Sequence, residues 1–256
     1  MKTGILTAAV ALALDAAISF ASQPVVIAHR GLWNVPGSAQ NSIAALVKAD
    51  SVGCDASEFD VWMTCDSVLV VNHDATYNGV SMEYSTSDVV CAQKLANGEN
   101  LPTLREYLTA AKPLDIELIV EIKSHNSNST ERAAIRRTID MVREMGLEDR
   151  VSYVLFSKNG ILECIKYAPK GTSIQYPKGD YLPEQAKMMG ITGIDYKITV
   201  LKEHPEWISR ARDLGLTVGV WTITSAEDFQ WCLDNGANFV TSNDPVLHMS
   251  MTDKNR

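Results

Sequence analysis

The stretch Leu118-Ile119-Val120-Glu121-Ile122-Lys123, residues 118–123, decides the fold. Its first three residues are apolar without alternation, and it ends on a carboxylate and an ammonium group. A strand apolar on both faces belongs to a parallel sheet covered by helices rather than to a half-exposed antiparallel one. Downstream, Glu131–Met145 has helical period and stops at Gly146, and Val151–Phe156 is again short and β-branched. The same unit repeats outward in both directions. Strands are predicted at Val25–His29, at Ser57–Val61 with Leu69–His73 beyond it, and at Thr172–Tyr176, Gly193–Ile198, Thr217–Thr222 and Phe239–Ser242. Helices are predicted at Ser42–Ala49, Leu104–Ala111, Gly160–Tyr167, Pro183–Met189, Pro205–Leu214 and Ala226–Asn235. Several end at a glycine just before the next strand (Gly146, Gly190, Gly215, Gly236), which suits a C-cap.

Eight strands, most followed by a helix, predict an α/β fold, a (β/α)8 TIM-type barrel. The competing doubly wound open sheet brings a GxGxxG turn after its first strand, where this chain reads His29-Arg30-Gly31. Residues 75–101 lack clear period and read as a small insertion, a loop or cap, after strand two. The 256 residues carry 23 Lys+Arg against 31 Asp+Glu, a net charge of −8, with 46% apolar residues. That composition excludes a disordered chain, and the acidic balance argues against nucleic acid as a partner.

The N-terminus reads separately. Met1-Lys2, the apolar run Ile5–Leu14 and the small-residue stretch ending Ser19-Phe20-Ala21 predict a secretory signal peptide over residues 1–21. Residues 22–256 then form a single barrel domain, exported to the periplasm or the cell exterior. The run is too short to span a bilayer comfortably, so no stable membrane insertion is expected. Five cysteines (Cys54, Cys65, Cys91, Cys164, Cys232) form no CxxC pair. A structural zinc or full disulfide framework is therefore not expected, and most of them read as small core residues.

In such a barrel the chemistry lies at the C-terminal ends of the strands. Those ends supply His29 and Arg30, Glu58 and Asp60, His73, Glu121 and Lys123, and Trp221. Glu58 and Asp60 are two apart and so face the same way on a strand; Glu121 and Lys123 share that spacing. Carboxylates aimed into one mouth repel unless a cation sits between them. An all-oxygen set of Glu58, Asp60 and Glu121 suits one divalent cation, Mg²⁺ or Ca²⁺, better than zinc. His29 and His73 can serve as base and acid on opposite sides of a substrate. Arg30 and Lys123 add the positive charge that an anionic, phosphate-bearing small molecule requires. His125, His204 and His248 lie in loop or helix contexts and receive no role.

Taken in order, these stretches resemble a known family. Val26-Ile27-Ala28-His29-Arg30-Gly31, Glu58-Phe59-Asp60-Val61 with Thr64, and Val70-Val71-Asn72-His73-Asp74 are similar to the glycerophosphodiester phosphodiesterases. So are Leu101-Pro102-Thr103-Leu104, Glu121-Ile122-Lys123, Val220-Trp221-Thr222 and Thr241-Ser242-Asn243-Asp244-Pro245. Each motif is short; their ordered sum from residue 25 to 247 is specific. The resemblance implies a (β/α)8 barrel that hydrolyses glycerophosphodiesters to glycerol 3-phosphate and an alcohol. It implies that Glu58, Asp60 and Glu121 hold the cation, that His29 and His73 are the acid/base pair, and that Arg30 and Lys123 contact phosphate. Trp221 would line the glycerol side.

The chain departs from the family in two places. Ala39-Gln40-Asn41-Ser42 replaces the usual Pro-Glu-Asn-Thr, which removes a negative charge near Arg30. Ala75-Thr76-Tyr77-Asn78-Gly79 lacks the usual Thr-Thr pair. Two alternative functions follow. One is lysophospholipase D-like cleavage of lipid phosphodiesters, with Val80, Met82 and Tyr84 of the insertion meeting the lipid tail. The other is a non-catalytic phosphodiester-binding barrel, which Gln40 alone favours.

Overall fold

The structure, a computed structural model, describes residues 23–253. The predicted signal peptide over residues 1–21 lies outside them. The chain runs β1 (Val25–Ala28), α1 (Ile43–Ser51), β2 (Ala56–Met63), β3 (Leu69–Val71), β4 (Thr76–Tyr77), β5 (Val80–Ser81), α2 (Ser87–Cys91) and α3 (Leu104–Ala111). It continues with β6 (Glu117–Ile122), α4 (Asn128–Met145), β7 (Val151–Val154), α5 (Lys158–Tyr167), β8 (Ile174–Tyr176) and α6 (Pro183–Met188). Last come β9 (Gly193–Lys197), α7 (Ile198–Glu203), α8 (Glu206–Asp213), β10 (Thr217–Ile223), α9 (Ala226–Asn235), β11 (Phe239–Ser242) and α10 (Pro245–Asp253).

Eight of these strands pair in parallel in the order β1-β11-β10-β9-β8-β7-β6-β2, and the pairing of β1 with β2 closes the ring. The protein is a (β/α)8 barrel. The pleat sorts each strand's residues by side. Ile27, Ala56, Ile119, Val154 and Phe239 form an apolar cluster of their own inside the barrel. Their neighbours Val26, Ala28, Phe59, Leu118 and Val120 belong instead to the large outer core, with helix residues such as Leu46, Leu108, Ile135 and Ile208. Burial on both faces is why these strands read as continuous apolar runs.

Helix ends follow local chemistry. The Ser42 hydroxyl accepts the Ala45 N–H at 3.0 Å ahead of α1, and Ser127, Ser157 and Ser225 cap α4, α5 and α9 in the same way. Thr103 and Glu106 form a reciprocal capping box on α3. Gly146 and Gly236 close α4 and α9 in the left-handed conformation, as their positions predicted.

Besides α2 within the insertion, two helices escape the sequence reading. The short α7 starts directly from the last residue of β9, without a turn to announce it. For α10, Asp244 accepts the Leu247 N–H at 3.2 Å and Pro245 takes the first helical position. The insertion after strand two carries β3, antiparallel to β2, the β4–β5 hairpin and α2. Met82, Val90, Leu95 and Leu101 pack there with Trp62 and Val70 into a small second core. Met82 is therefore fully buried and cannot meet a lipid tail; Val80 is half-buried, and only Tyr84, 69% exposed, fits that expectation. All five cysteines are free thiols, with Cys54, Cys164 and Cys232 buried in the outer core. Among the described residues no helix is long and apolar enough to cross a membrane.

Candidate active site

A cavity of about 130 Å³ opens at the C-terminal end of the barrel. His29, Arg30, Glu58, His73, Glu121, Lys123 and Trp221 all line it, and Asp60 lies against Lys123 and Arg30 from within. Every residue nominated from sequence thus arrives at one mouth. The pleat explains how: two positions beyond Ile27, Ala56 and Ile119 on the same inner face stand His29, Glu58 and Glu121.

The end of β1 turns sharply. Arg30 takes φ 56 and Gly31 φ 75, and the turn sends the Arg30 N–H to Glu58 Oε2 at 2.8 Å. A side chain at Gly31 would stand 2.7 Å from Ala45 on α1, so only glycine fits this approach. The His29 ring is fixed by Nδ1 against Asn243 Oδ1 at 2.7 Å, which leaves Nε2 facing the cavity side, 4.0 Å from Glu58 Oε2. Burial, with the charge of Arg30 adding to it, pushes the His29 pKa down to about 4, so the ring is neutral at pH 7. His73 lies on the rim, more exposed, with Nδ1 2.7 Å from Asp74 Oδ1.

Glu58, Asp60 and Glu121 each offer a carboxylate oxygen, all within 4.8 Å of one another. Lys123 Nζ pairs with Asp60 Oδ1 at 2.8 Å and with Glu121 Oε1. Asp60 also accepts from Asn41 Nδ2 at 2.9 Å, and Arg30 Nε lies 3.8 Å away. Burial alone would raise the Asp60 carboxyl; the charge of Lys123, with His73 and the Asn41 bond, holds it below the usual carboxylate range. Its neighbours go the other way. Burial, then the charges of Asp60 and Glu121, pushes Glu58 well up. Burial and Asp60 raise Glu121 to about 7. Burial opposes the Lys123 charge, but Asp60 and Glu121 keep its pKa above the ordinary value.

Three carboxylates around one point, two of them raised, form a site that gains from a cation. Glu58 Oε1 is buried with no hydrogen-bond partner among the described residues, an oxygen left for such an occupant. The donor set is oxygen only and fits a hard divalent ion.

Some participants were not foreseen. Asn41 and Asn243 hold Asp60 and His29, and the carboxyl of Asp195 and the ring of Phe156 line the cavity. Asn243 lies just past β11, the strand beside β1, so the strand-end rule would have found it. Trp221 packs edge-on against Phe156, ring centroids 6.1 Å apart, and its indole N–H donates to the Asp195 carbonyl at 2.5 Å. Gln40, without the charge of the family's usual Glu, still tethers the arginine: its Oε1 accepts from Arg30 Nη1 at 2.6 Å. The three remaining histidines are structural. His125 accepts the Met63 N–H, His248 stacks on Phe229 and bonds the Ser242 hydroxyl, and His204 stacks on Trp207.

A barrel whose mouth gathers two histidines, three carboxylates and two cationic side chains has the make-up of a hydrolytic enzyme class, and comparison with known proteins says which. The model of the glycerophosphoryl diester phosphodiesterase family matches residues 29–247. The chain belongs to that family and is an enzyme of it, a phosphoric diester hydrolase. A glycerophosphodiester phosphodiesterase from Caldanaerobacter subterraneus is 26% identical over 90% of this chain and 98% of its own. The crystal structure of a glycerophosphodiester phosphodiesterase from Parabacteroides distasonis superposes with a TM-score of 0.89 at 39% identity, covering 91% of this chain and 99% of that one. An Oleispira antarctica phosphodiesterase, solved in complex with the product sn-glycerol-3-phosphate, shares the fold with a TM-score of 0.79 at 22% identity, covering 90% and 97%.

Proposed function

We propose that the protein hydrolyses soluble glycerophosphodiesters to glycerol 3-phosphate and an alcohol, using one divalent cation, Mg²⁺ or Ca²⁺, and the pair His29 and His73. The observation that carries this reading is the shared cavity: both histidines, Arg30, Lys123, Glu58 and Glu121 line one barrel mouth. The product named for the Oleispira relative, glycerol 3-phosphate, supports the substrate class.

Glu58, Asp60 and Glu121 would hold the cation. When bound, it supplies a Lewis acid that offsets phosphodiester charge. Arg30 and Lys123 neutralise the remaining phosphate charge and the charge that builds in the transition state. His29 donates Nδ1–H to the Asn243 amide oxygen, which leaves the Nε2 lone pair free. His29 is thus the base that deprotonates the nucleophile, either water or the glycerol 2-hydroxyl, the latter giving a cyclic phosphate that water then opens to glycerol 3-phosphate. His73 is the acid: its Nδ1 pairs with the Asp74 carboxylate at 2.7 Å, which orients the ring to protonate the departing alkoxide. Trp221 gives the glycerol part an aromatic wall.

Export through a cleaved signal at residues 1–21 would place this reaction in the periplasm or outside the cell. The −8 charge slows approach to anionic bilayers, which favours small soluble diesters. Choline release from glycerophosphocholine and from lysophosphatidylcholine tests the substrate class. The soluble diester is expected to be cleaved; cleavage of the lysolipid alone would overturn the reading.

A further inference from the structure

One carboxyl group in the mouth has no task in the chemistry above. Asp195 on β9 is only 5% exposed, yet it lines the cavity. Its Oδ1 is enclosed and has no hydrogen-bond partner, and no cationic side chain pairs with it among the described residues. A buried carboxyl oxygen without a donor loses its hydration and gains nothing in return, so its retention calls for a partner that comes and goes.

The surroundings make room for this group. A side chain at Gly219 on β10 would stand 2.5 Å from Asp195 Oδ1 and 2.0 Å from the Phe239 ring, so glycine there keeps the carboxyl in place. The indole of Trp221 is tied to the Asp195 carbonyl, which sets the aromatic wall beside the carboxyl. In the closed ring β9 lies four strands from β2 in either direction. Asp195 therefore faces the Glu58–Asp60 strand across the mouth. The phosphate-binding charges Arg30 and Lys123 stand just past the ends of β1 and β6, the neighbours of β2. An ester held there reaches the β9 wall with its carbon skeleton.

We infer that Asp195 is a specificity-determining residue whose carboxyl accepts a hydrogen bond from a hydroxyl on the glycerol part of the ligand, while Trp221 packs against that part's carbons. The inference rests on the glycerophosphodiester reading above. A carboxyl oxygen accepts from a hydroxyl in either protonation state. A cationic head group is not the occupant of this wall, because the Lys197 ammonium already lies 5.1 Å from the centroid of the Trp221 ring. The polyol end of the substrate, rather than an ethanolamine or choline end, belongs against β9.

Calorimetric affinities for sn-glycerol 3-phosphate and for n-propyl phosphate, which keeps the phosphate and carbons but lacks both hydroxyls, test this. Each is measured with Mg²⁺ and with Ca²⁺ present. The unaltered protein is expected to prefer the glycerol ester, because a site built to bond a hydroxyl rejects the analogue without it. Asp195→Ala should shrink that preference by about tenfold, the worth of one such bond. Asp195→Asn, which keeps an acceptor oxygen at the same place, should retain most of it. Melting temperatures of both variants report that the barrel is intact. A preference unchanged in Asp195→Ala, or equal losses for the two esters, would overturn the inference. Failure of the unaltered protein to bind either ester would overturn the proposed function itself, a separate and recognisable result.

Discussion

Two layers of the barrel interior, two residues apart on the same strands, make opposite use of the same geometry. The lower layer, Ile27, Ala56, Ile119, Val154 and Phe239, is apolar, with Ile119 and Val154 forming part of the cavity's base. The upper one, with His29, Glu58 and Glu121, carries charge and a buried carboxyl oxygen without a partner. Backbone pairing supplies the positions in both; side-chain chemistry alone separates a packed floor from a reactive mouth. The floor contributes burial, and the mouth holds like charges together at a cost to stability.

The largest test of that division lies in the histidines. His29→Ala or His73→Ala should lower kcat by at least about 10²-fold, as for loss of a general acid or base, with little change in melting temperature. Near-full turnover in either variant would remove that residue from the chemistry. Phe239→Ala probes the floor instead. It should cost about 3–5 kcal/mol of stability, measured by denaturant unfolding, while the folded fraction keeps its turnover. Loss of turnover with stability intact would break the proposed separation of layers.

The cation sharpens the comparison further. At a hundredfold excess over its Kd a divalent ion should stabilise the protein by about 2.7 kcal/mol, a rise of about 5–10 °C in Tm for a domain of this size. Glu121→Gln should abolish that rise while making the cation-free protein no less stable, because it removes one member of a repelling set.

The smallest effect is in pH. The folded-state pKa values of Glu121 and Asp195 are raised to about 7 and about 8, chiefly by burial. Each contributes stability that is fully present below its ordinary carboxylate pKa and is lost as pH rises through the folded value. His29 acts in the opposite sense, its folded value of about 4 lying below the ordinary 6.5, but only between those two limits. From pH 6.5 to 8, then, Tm of the cation-free protein should fall. Asp195→Asn should flatten the upper part of that decline; an unchanged slope would mean that Asp195 is ionised throughout.

The barrel and most of its mouth were legible in the sequence because both follow from strand periodicity. Continuous apolar strands announce a covered parallel sheet, and the residue past each strand's last apolar position is at the mouth by geometry. That reasoning places Glu58, Asp60, Glu121 and Lys123 without any knowledge of their contacts. What it misses are pairings that exist only after closure. Asn243 holds His29 from 214 positions away, and a lone asparagine after a strand carries no mark of that duty. Asp195 sits between Ile194 and Tyr196 and reads as one polar residue within a strand. Met82 shows the converse error, an apolar residue in an aperiodic segment that looks exposed until the insertion is seen to have its own core.

The most direct test of the central claim follows glycerol 3-phosphate release from glycerophosphoethanolamine and glycerophosphocholine before chelation, after chelation, and after restoring Mg²⁺ or Ca²⁺, in the unaltered protein and in Glu121→Gln. Release should stop with chelator, return with one of the two ions, and stay absent in the variant. Release that persists through chelation, or in Glu121→Gln at the unaltered rate, would contradict that claim.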